Sequence, residues 1–180
     1  LKNIASTVVM IIICSALPSY TAGFSLDFSI GFNGQFQLNN WTPLSVVIDN
    51  RGRPTSGNLE VLVTSGSEYR GDVYRTLYTT EVDLPQNSKK RYAFTIKIES
   101  FTHELIIRLR QDDDIIFSKS INLRSHFTEK NFAVVADNFI APDILSVLPT
   151  HFYPINVRPK LLPETWYGYK SVDLLIMRTD

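Results

Sequence analysis

Residues 40–52 constrain the fold more strongly than any other part of the chain. Leu44, Val46 and Ile48 recur at every second position, which places their side chains on one face of a β-strand. An Asp-Asn-Arg-Gly cluster then interrupts the strand, as turn residues do. Because the same alternation resumes at 59–63, the sequence predicts successive strands that each bury one face.

Seven stretches before residue 126 share this pattern. The predicted strands cover residues 24–32, 41–49, 58–64, 73–82, 92–98, 105–109 and 115–123. Short strands at intervals of about ten residues, each with one apolar face, predict two antiparallel sheets around one core. We therefore expect a seven-stranded immunoglobulin-like antiparallel sandwich over residues 24–126. The Cys and Trp spacing of true immunoglobulin domains is missing, so the term describes the architecture only.

An acidic run, Asp112-Asp113-Asp114, separates the last two of these strands. It lacks the alternating oxygen ligands and the closing Glu of a calcium loop. Asp is common in turns because its side chain forms hydrogen bonds with nearby backbone groups. We therefore predict a hairpin turn at this run and not a metal site.

The pattern changes after His126. Residues 132–136, Phe-Ala-Val-Val-Ala, form an uninterrupted apolar run, which is typical of a parallel strand that is buried on both faces. Residues 141–148 include Pro and Asp in the first turn and apolar residues at helical spacing, which predicts a helix. Two more strands are predicted at 152–157 and 172–177.

This order of elements predicts a mainly β chain that ends in the start of a flavodoxin-like α/β unit over residues 127–180. The unit is incomplete, because about 50 residues cannot cover both faces of such a sheet. We expect the strand at 172–177 to lie at a sheet edge or against a partner if the chain ends at Asp180.

Residues 1–22 have the composition of a secretory signal peptide. Lys2 precedes an almost entirely apolar run, Ile4–Leu17. An uncleaved membrane anchor is the alternative, but a run of about 14 residues is short beside the roughly 20 that a spanning helix needs. Cleavage could follow Ala16 or Ala22. We therefore expect the chain to be exported.

Cys14 is the only cysteine, and it lies inside this segment. Lipid attachment there is disfavoured, because Ile13 is bulky where a lipobox has a small residue. A mature chain without disulfides fits a bacterial envelope better than an animal extracellular space. We expect the bacterial periplasm or the outer face of the cytoplasmic membrane, with membrane association through the parent protein.

Opposite charges balance in this chain. Lys and Arg number 18, and so do Asp and Glu, which removes the electrostatic argument for binding nucleic acid or an anionic membrane surface. His103, His126 and His151 stand apart, without a second ligand at metal spacing. No Gly-x-Ser-x-Gly, phosphate-cradling loop or paired-carboxylate motif occurs. We therefore expect no cofactor, no metal and no catalytic residue.

Two acids and a group of aromatic residues are candidates for binding. Asp137 and Asp180 each follow a predicted parallel strand, and ligands of open α/β sheets bind outside the carboxyl ends of the strands. The alternative for Asp137 is that it caps the following loop. Trp166 and Tyr169, with Tyr167 between them, could stack on a sugar or a peptide. Their alternative is packing of the loop onto the sheet.

Four groups of short motifs are spread over both predicted parts of the chain. They are Asn-Trp-Thr-Pro-Leu-Ser-Val-Val-Ile-Asp-Asn at 40–50, Ser56-Gly57 before Leu59-Glu60-Val61, Leu84-Pro85 before Lys90-Arg91-Tyr92, and Leu162-Pro163 followed by Trp166-Tyr167-Gly168-Tyr169 and Val172-Asp173-Leu174-Leu175-Ile176. Together they resemble a family of bacterial envelope proteins that have an exported β-sandwich followed by a class I glutamine-amidotransferase-like domain. Many members of that family are membrane-anchored.

The resemblance implies the same two-part organisation for this chain. The family's cysteine nucleophile, on a strand-to-helix elbow, and its later histidine would both fall beyond Asp180, so no catalytic residue carries over. Many members are thought to have lost that chemistry and to act as scaffolds or sensors. We therefore expect a non-catalytic binding or interaction module of a bacterial cell-envelope protein, whose partner is another protein or the rest of the parent chain.

Two other functions stay open. The chain could be the N-terminal fragment of an amidotransferase-like hydrolase whose catalytic residues lie beyond its end. It could also be a carbohydrate-binding sandwich that uses the Trp41 region or three tyrosines, Tyr69, Tyr74 and Tyr78, since aromatic rings stack on sugars.

Overall fold

The fold is mainly β, with antiparallel sheets, as the sequence predicts. The computed structural model describes residues 23–66, 69, 71–136 and 148–177. Its strands are β1 (Phe24–Ile30), β2 (Trp41–Asn50), β3 (Thr55–Ser65), β4 (Tyr74–Leu84), β5 (Ser88–Lys97), β6 (Glu104–Gln111), β7 (Asp114–Asn122), β8 (Asn131–Ala136), β9 (Phe152–Val157) and β10 (Val172–Met177). The predicted signal segment, 1–22, and most of the predicted helix at 141–148 lie outside the described residues.

No part of the described chain forms a helix with the length and hydropathy of a membrane span. Its helical segments are short 3₁₀ turns at Leu123–His126, Pro159–Leu161 and Trp166–Tyr169.

Strands β1 to β7 form what we call the N-terminal unit, which consists of two antiparallel sheets around one core. One sheet has the order β1-β2-β5 and the other the order β4-β3-β6-β7. The predicted alternation of β2 is confirmed, because Leu44, Val46 and Ile48 are all buried. They share a hydrophobic cluster with Val61 of β3 and Ile107 of β6, so side chains from both sheets fill the same space.

The predicted hairpin turn between β6 and β7 is confirmed. Gln111 pairs with Asp114 across it, and Asp112 has a φ of 52°. That left-handed conformation is one that Asp and Asn tolerate better than most side chains. The acidic run is therefore a turn that joins two neighbouring strands.

Strand β1 is shorter than the alternation predicts, and the expectation that Phe32 continues it is wrong. The strand ends at Ile30, and Gly31 follows with a φ of +60°. A Cβ atom on Gly31 would lie 1.8 Å from the carbonyl oxygen of Gln35, so only glycine fits this turn. The turn sends the Phe32 ring away from the first core and against Phe132, with ring centroids 5.9 Å apart.

Strand β7 also ends one residue early, before Leu123. The side chain of Asn122 accepts a hydrogen bond from the Arg124 backbone N–H at 3.0 Å and so starts the 3₁₀ turn. Such side-chain capping competes with continuation of a strand. The turn ends at His126, whose backbone oxygen accepts a hydrogen bond from Phe36 N–H at 2.9 Å.

Hydrogen bonds between side chains and backbone groups link the edge strands of the two sheets on both sides of the N-terminal unit. On one flank, Lys119 Nζ of β7 donates to the Leu26 carbonyl of β1 at 2.8 Å. On the other, the Lys97 N–H of β5 donates to the Tyr78 hydroxyl of β4 at 3.0 Å. These bonds use backbone groups that edge strands would otherwise leave unpaired.

Strands β8 to β10 form the C-terminal unit, a parallel sheet of order β10-β8-β9. The predicted burial of the central strand is confirmed, because Phe132–Ala136 is buried throughout. Asp173 lies at a shift in register between β10 and β8, where its Oδ2 accepts a hydrogen bond from Phe132 N–H at 2.9 Å. Among the described residues, β10 has a strand neighbour on one side only.

Asn50, at the end of β2, is a fully buried polar residue that ties two turns together. Its Nδ2 donates to the carbonyl oxygens of Leu84 and Arg53, both at 2.8 Å, and lies 3.2 Å from that of Pro85. Its Oδ1 accepts from Gly52 N–H at 2.9 Å. One amide therefore satisfies backbone groups of the β2–β3 and β4–β5 connections, which would cost about 1–3 kcal/mol each if buried without a partner.

We predict that Asn50→Ala lowers the free energy of unfolding by about 3 kcal/mol, because it leaves several of these backbone groups unsatisfied. Urea unfolding followed by far-UV circular dichroism measures this. Asn58→Ala, on the exposed face of β3, is the control and should change stability by less than about 0.5 kcal/mol. Equal effects of the two substitutions would contradict the role assigned to Asn50.

Candidate functional site

A cleft lies where the C-terminal unit meets the outer face of the β1-β2-β5 sheet. Its volume is about 520 Å³, within the range of small-molecule sites. The lining residues come from both units. They are Ser29, Gly31, Phe32, Asn33, Pro43, Leu44, Ser45, Arg91, Ala93, Phe94 and Thr95 from the N-terminal unit, and Asn156, Val157, Arg158, Leu161, Leu162, Pro163, Glu164, Thr165 and Tyr167 from the C-terminal unit. We call this space the joint cleft.

One wall of the joint cleft follows from the alternation of β2 and β5. The residues between the buried ones face outward, so Ser45 lies opposite Ala93, and Pro43 opposite Thr95, in the antiparallel register. Ser29 of β1 pairs with Ser45 from the other side. This wall is therefore a flat row of small side chains that extends across three strands.

The other wall begins where β9 ends. Asn156, Val157 and Arg158 lie at the carboxyl end of this parallel strand, and the 3₁₀ turn Pro159–Leu161 follows, closed by a hydrogen bond from Leu162 N–H to Pro159 O at 3.1 Å. The joint cleft therefore lies at the carboxyl end of β9.

An aromatic contact holds the two walls together. The rings of Trp41, on the outer face of β2, and Tyr167 have centroids 5.4 Å apart at an angle of 60°. The hydroxyl oxygens of Thr95, in the N-terminal unit, and Thr165, in the C-terminal unit, also lie 3.4 Å apart. The Trp41 side chain therefore packs against the C-terminal unit and does not enter the core of its own unit.

The loop that carries Tyr167 is internally braced. The Tyr169 hydroxyl donates to the Pro163 carbonyl at 2.8 Å, and burial raises the pKa of Tyr169. A Cβ atom on Gly168 would lie 2.6 Å from the Pro163 ring, so the close approach requires glycine at this position. These contacts set the position at which Tyr167 meets Trp41.

Three charged residues line the joint cleft. Arg91 comes from β5, Arg158 from the end of β9, and Glu164 from the loop before Thr165. Arg158 and Glu164 form no ion pair with another described residue, whereas Arg91 already takes part in another interaction. Arg158 and Glu164 are thus two opposite charges of the lining that no ion pair with another described residue takes up.

Of the four candidate binding residues predicted from the sequence, Trp166 and Tyr169 lie in the described part of the chain, and their contacts differ. Trp166 is 76% exposed, lies edge-on to Tyr167 at 5.8 Å, and has Lys170 Nζ 5.6 Å from its ring centroid. The Tyr169 hydroxyl bonds within its own loop, to the Pro163 carbonyl. Asp137 and Asp180 lie outside the described residues. The preceding strands do lie side by side, because Ala136 of β8 pairs with Met177 of β10.

The tyrosines considered for carbohydrate binding do not form one exposed platform. Tyr69 is fully exposed, and Tyr74 is half exposed. The Tyr74 hydroxyl donates to Glu99, and this hydrogen bond raises the pKa of Tyr74. Lys97 Nζ lies 2.6 Å from Glu99 Oε1 and, together with Tyr74, lowers the pKa of that carboxyl. Tyr78 packs against the core.

Sequence reasoning missed the cleft residues Ser45, Ala93, Thr95 and Arg158. The only signal in the sequence is that two neighbouring outward positions of β2, Pro43 and Ser45, and two of β5, Ala93 and Thr95, carry small side chains. Their significance depends on the strand register and on the contact between units, which are both non-local. In the described part of the chain, no three His, Cys, Asp or Glu side chains lie close enough together to hold a metal ion.

A family model described as a domain of unknown function, DUF8726, matches residues 23–124. This match covers more than half of the chain. The chain belongs to the DUF8726 family. The DUF8726 match begins just before β1 and ends within the 3₁₀ turn after β7, so it comprises the two antiparallel sheets and one wall of the joint cleft. A search of curated proteins finds no match.

Solved structures overlap with this chain only distantly. A β-glucosidase from Listeria innocua, in complex with isofagomine, is 12% identical with a TM-score of 0.37, over 55% of this chain and 16% of that one. The alkylpurine DNA glycosylase AlkC of Pseudomonas fluorescens, bound to DNA with an abasic site analog, is 10% identical with a TM-score of 0.38, over 55% and 30%. The chain thus spans less than a third of either protein. Neither overlap supports an inference about fold or activity.

We predict that Trp41 and Tyr167 stabilise the joint as a pair. Urea unfolding of Trp41→Ala, Tyr167→Ala and the double variant should give a coupling free energy of about 0.5–1.5 kcal/mol, because packed rings contribute beyond their buried area. Trp166→Ala is the control and should cost less than about 0.5 kcal/mol, since that side chain is exposed. Additive effects of the first two substitutions would refute the pairing.

Proposed function

We propose that this chain is a non-catalytic binding module of a bacterial cell-envelope protein and that it binds its ligand in the joint cleft. The observation that carries the proposal is that both units supply side chains to one concave space at the carboxyl end of β9. Ligand sites prefer interfaces between units and the carboxyl ends of parallel strands. The lining residues Thr95, Thr165 and Tyr167 also take part in the contacts between the two units.

The strand order supports an immunoglobulin-like sandwich for the N-terminal unit. If β1 to β7 are equated with strands A to G, the sheets are A-B-E and D-C-F-G. Immunoglobulin-like domains of the constant type have A-B-E-D and C-F-G, so the arrangement differs only in that the fourth strand pairs with the third. Related sandwiches vary in topology in this manner.

The C-terminal unit supports a flavodoxin-like assignment in a similar way. Its order β9-β8-β10 corresponds to 2-1-3, the order with which a flavodoxin-like sheet begins. We therefore retain the proposal that the chain resembles envelope proteins with a glutamine-amidotransferase-like second domain. An amidotransferase-like hydrolase is the enzymatic alternative. Genomic sequence encoding a cysteine elbow and a later histidine after Asp180 would favour that alternative.

We predict that residues 1–22 direct export. Fused in front of a reporter enzyme that is active only outside the bacterial cytoplasm, residues 1–40 should give reporter activity and residues 23–40 should give none, because the apolar run engages the export machinery. The mass of the exported product tells cleavage from anchoring. Equal activity of the two fusions would count against export by this segment.

The binding proposal is tested by blocking the cleft. Ala93 is exposed on the cleft wall, so Ala93→Trp should fill the space. We expect thermal scans against a set of amino acids, short peptides, sugars and phosphorylated metabolites to find a class that stabilises the unmodified chain, by about 2.7 kcal/mol at 100 times its Kd. The same compounds should not stabilise Ala93→Trp.

Ser118→Trp is the control, because Ser118 is exposed on β7 of the other sheet and should leave the ligand effect unchanged. Lack of stabilisation by every class, or equal stabilisation of Ala93→Trp, would refute ligand binding in the joint cleft.

A further inference from the structure

We infer that the joint cleft takes a short peptide with free ends, whose terminal carboxylate binds Arg158 and whose terminal ammonium binds Glu164. This inference rests on the proposed function and specifies its ligand class. It follows from the charge, the polarity and the size of the lining.

Arg158 offers a partner to an anionic group of the ligand. It reaches the cleft from the end of β9. Guanidinium groups bind carboxylates through two parallel hydrogen bonds, which are stronger than bonds between neutral groups. Arg158 is exposed and has no ion-pair partner among the described residues. Its guanidinium N–H groups are therefore available to bind a carboxylate.

Glu164 distinguishes a peptide from a phosphate. A multiply charged phosphate would pair with Arg158 but would be repelled by Glu164 in the same lining. A peptide carries one charge of each sign at its two ends and therefore complements both groups. The opposite charges of Arg158 and Glu164 match this distribution.

The remaining lining suits the body of a small peptide. Leu161, Leu162 and Pro163 offer apolar surface, while Ser45 and Thr95 offer hydroxyl groups that can form hydrogen bonds with peptide amides. A volume of about 520 Å³ is in the range that holds ligands of this size. The small side chain of Ala93 leaves room above the wall of the cleft.

The test is isothermal titration calorimetry of the full chain with four probes, namely trialanine, trialanine amide, N-acetyl-trialanine and inorganic phosphate. We expect trialanine to bind most tightly and the amide to lose about tenfold or more, because a charge-assisted hydrogen bond contributes about 1.5–3 kcal/mol. Arg158→Gln should weaken binding of trialanine to a similar extent. Arg124→Gln, which changes an exposed arginine remote in sequence in the turn after β7, should not.

Glu164→Gln provides the sharper variant. It should weaken the binding of trialanine but leave the binding of N-acetyl-trialanine unchanged, since the acetylated peptide has no ammonium group to pair with Glu164. Urea midpoints equal to that of the unmodified chain establish that each variant is folded.

Each outcome decides the inference. Binding of phosphate as tight as that of trialanine, trialanine binding that does not depend on Arg158, or an equal effect of Glu164→Gln on both peptides would overturn it. Failure of every peptide probe would overturn it as well. The proposed function would still stand if no peptide binds but another compound class stabilises the unmodified chain and does not stabilise Ala93→Trp.

Discussion

The two-residue period of β2 is the constraint on which the rest of the structure depends. Its even-numbered positions, such as Leu44, Val46 and Ile48, are buried in the core between the two antiparallel sheets. Its odd-numbered positions, from Trp41 to Ser45, face the C-terminal unit and the joint cleft. A shift of register by one residue would exchange the two sets. One strand therefore sets both how the N-terminal unit closes and where the C-terminal unit is attached.

Local patterns predict most of the elements but few of the contacts between them. Alternation locates all seven antiparallel strands, and the continuous apolar run locates β8, because these periods are properties of the strand itself. Phe32 is misplaced because Gly31 turns the chain after Ile30, and a period cannot reveal a turn within an apparently regular run. The joint cleft is not predictable from local patterns, since it exists only where side chains distant in sequence, such as Ser45 and Arg158, come together.

The motifs on which the proposed resemblance to envelope proteins rests coincide with backbone contacts that tolerate little change. Leu84 and Pro85 offer the carbonyl groups that Asn50 binds. Gly57 passes so close to β6 that a Cβ atom there would lie 2.1 Å from the Arg110 carbonyl oxygen. Gly168 is packed against Pro163 in the same way. Motifs of this kind are constrained by the packing of the backbone, and this explains why they carry no information about a reaction.

The turn at Gly31 has a consequence for how the two units behave as a folding system. It places the Phe32 ring, which belongs by sequence to the N-terminal unit, in a hydrophobic cluster with Phe132, Val134 and Ile155. A chain cut after His126 would leave that ring and Trp41 uncovered. The N-terminal half alone would therefore expose apolar surface that favours association with other molecules. Apolar side chains shared between neighbours make their unfolding cooperative. Mechanical tension on one unit would therefore be transmitted to the other through a buried side chain and not only through the connecting backbone.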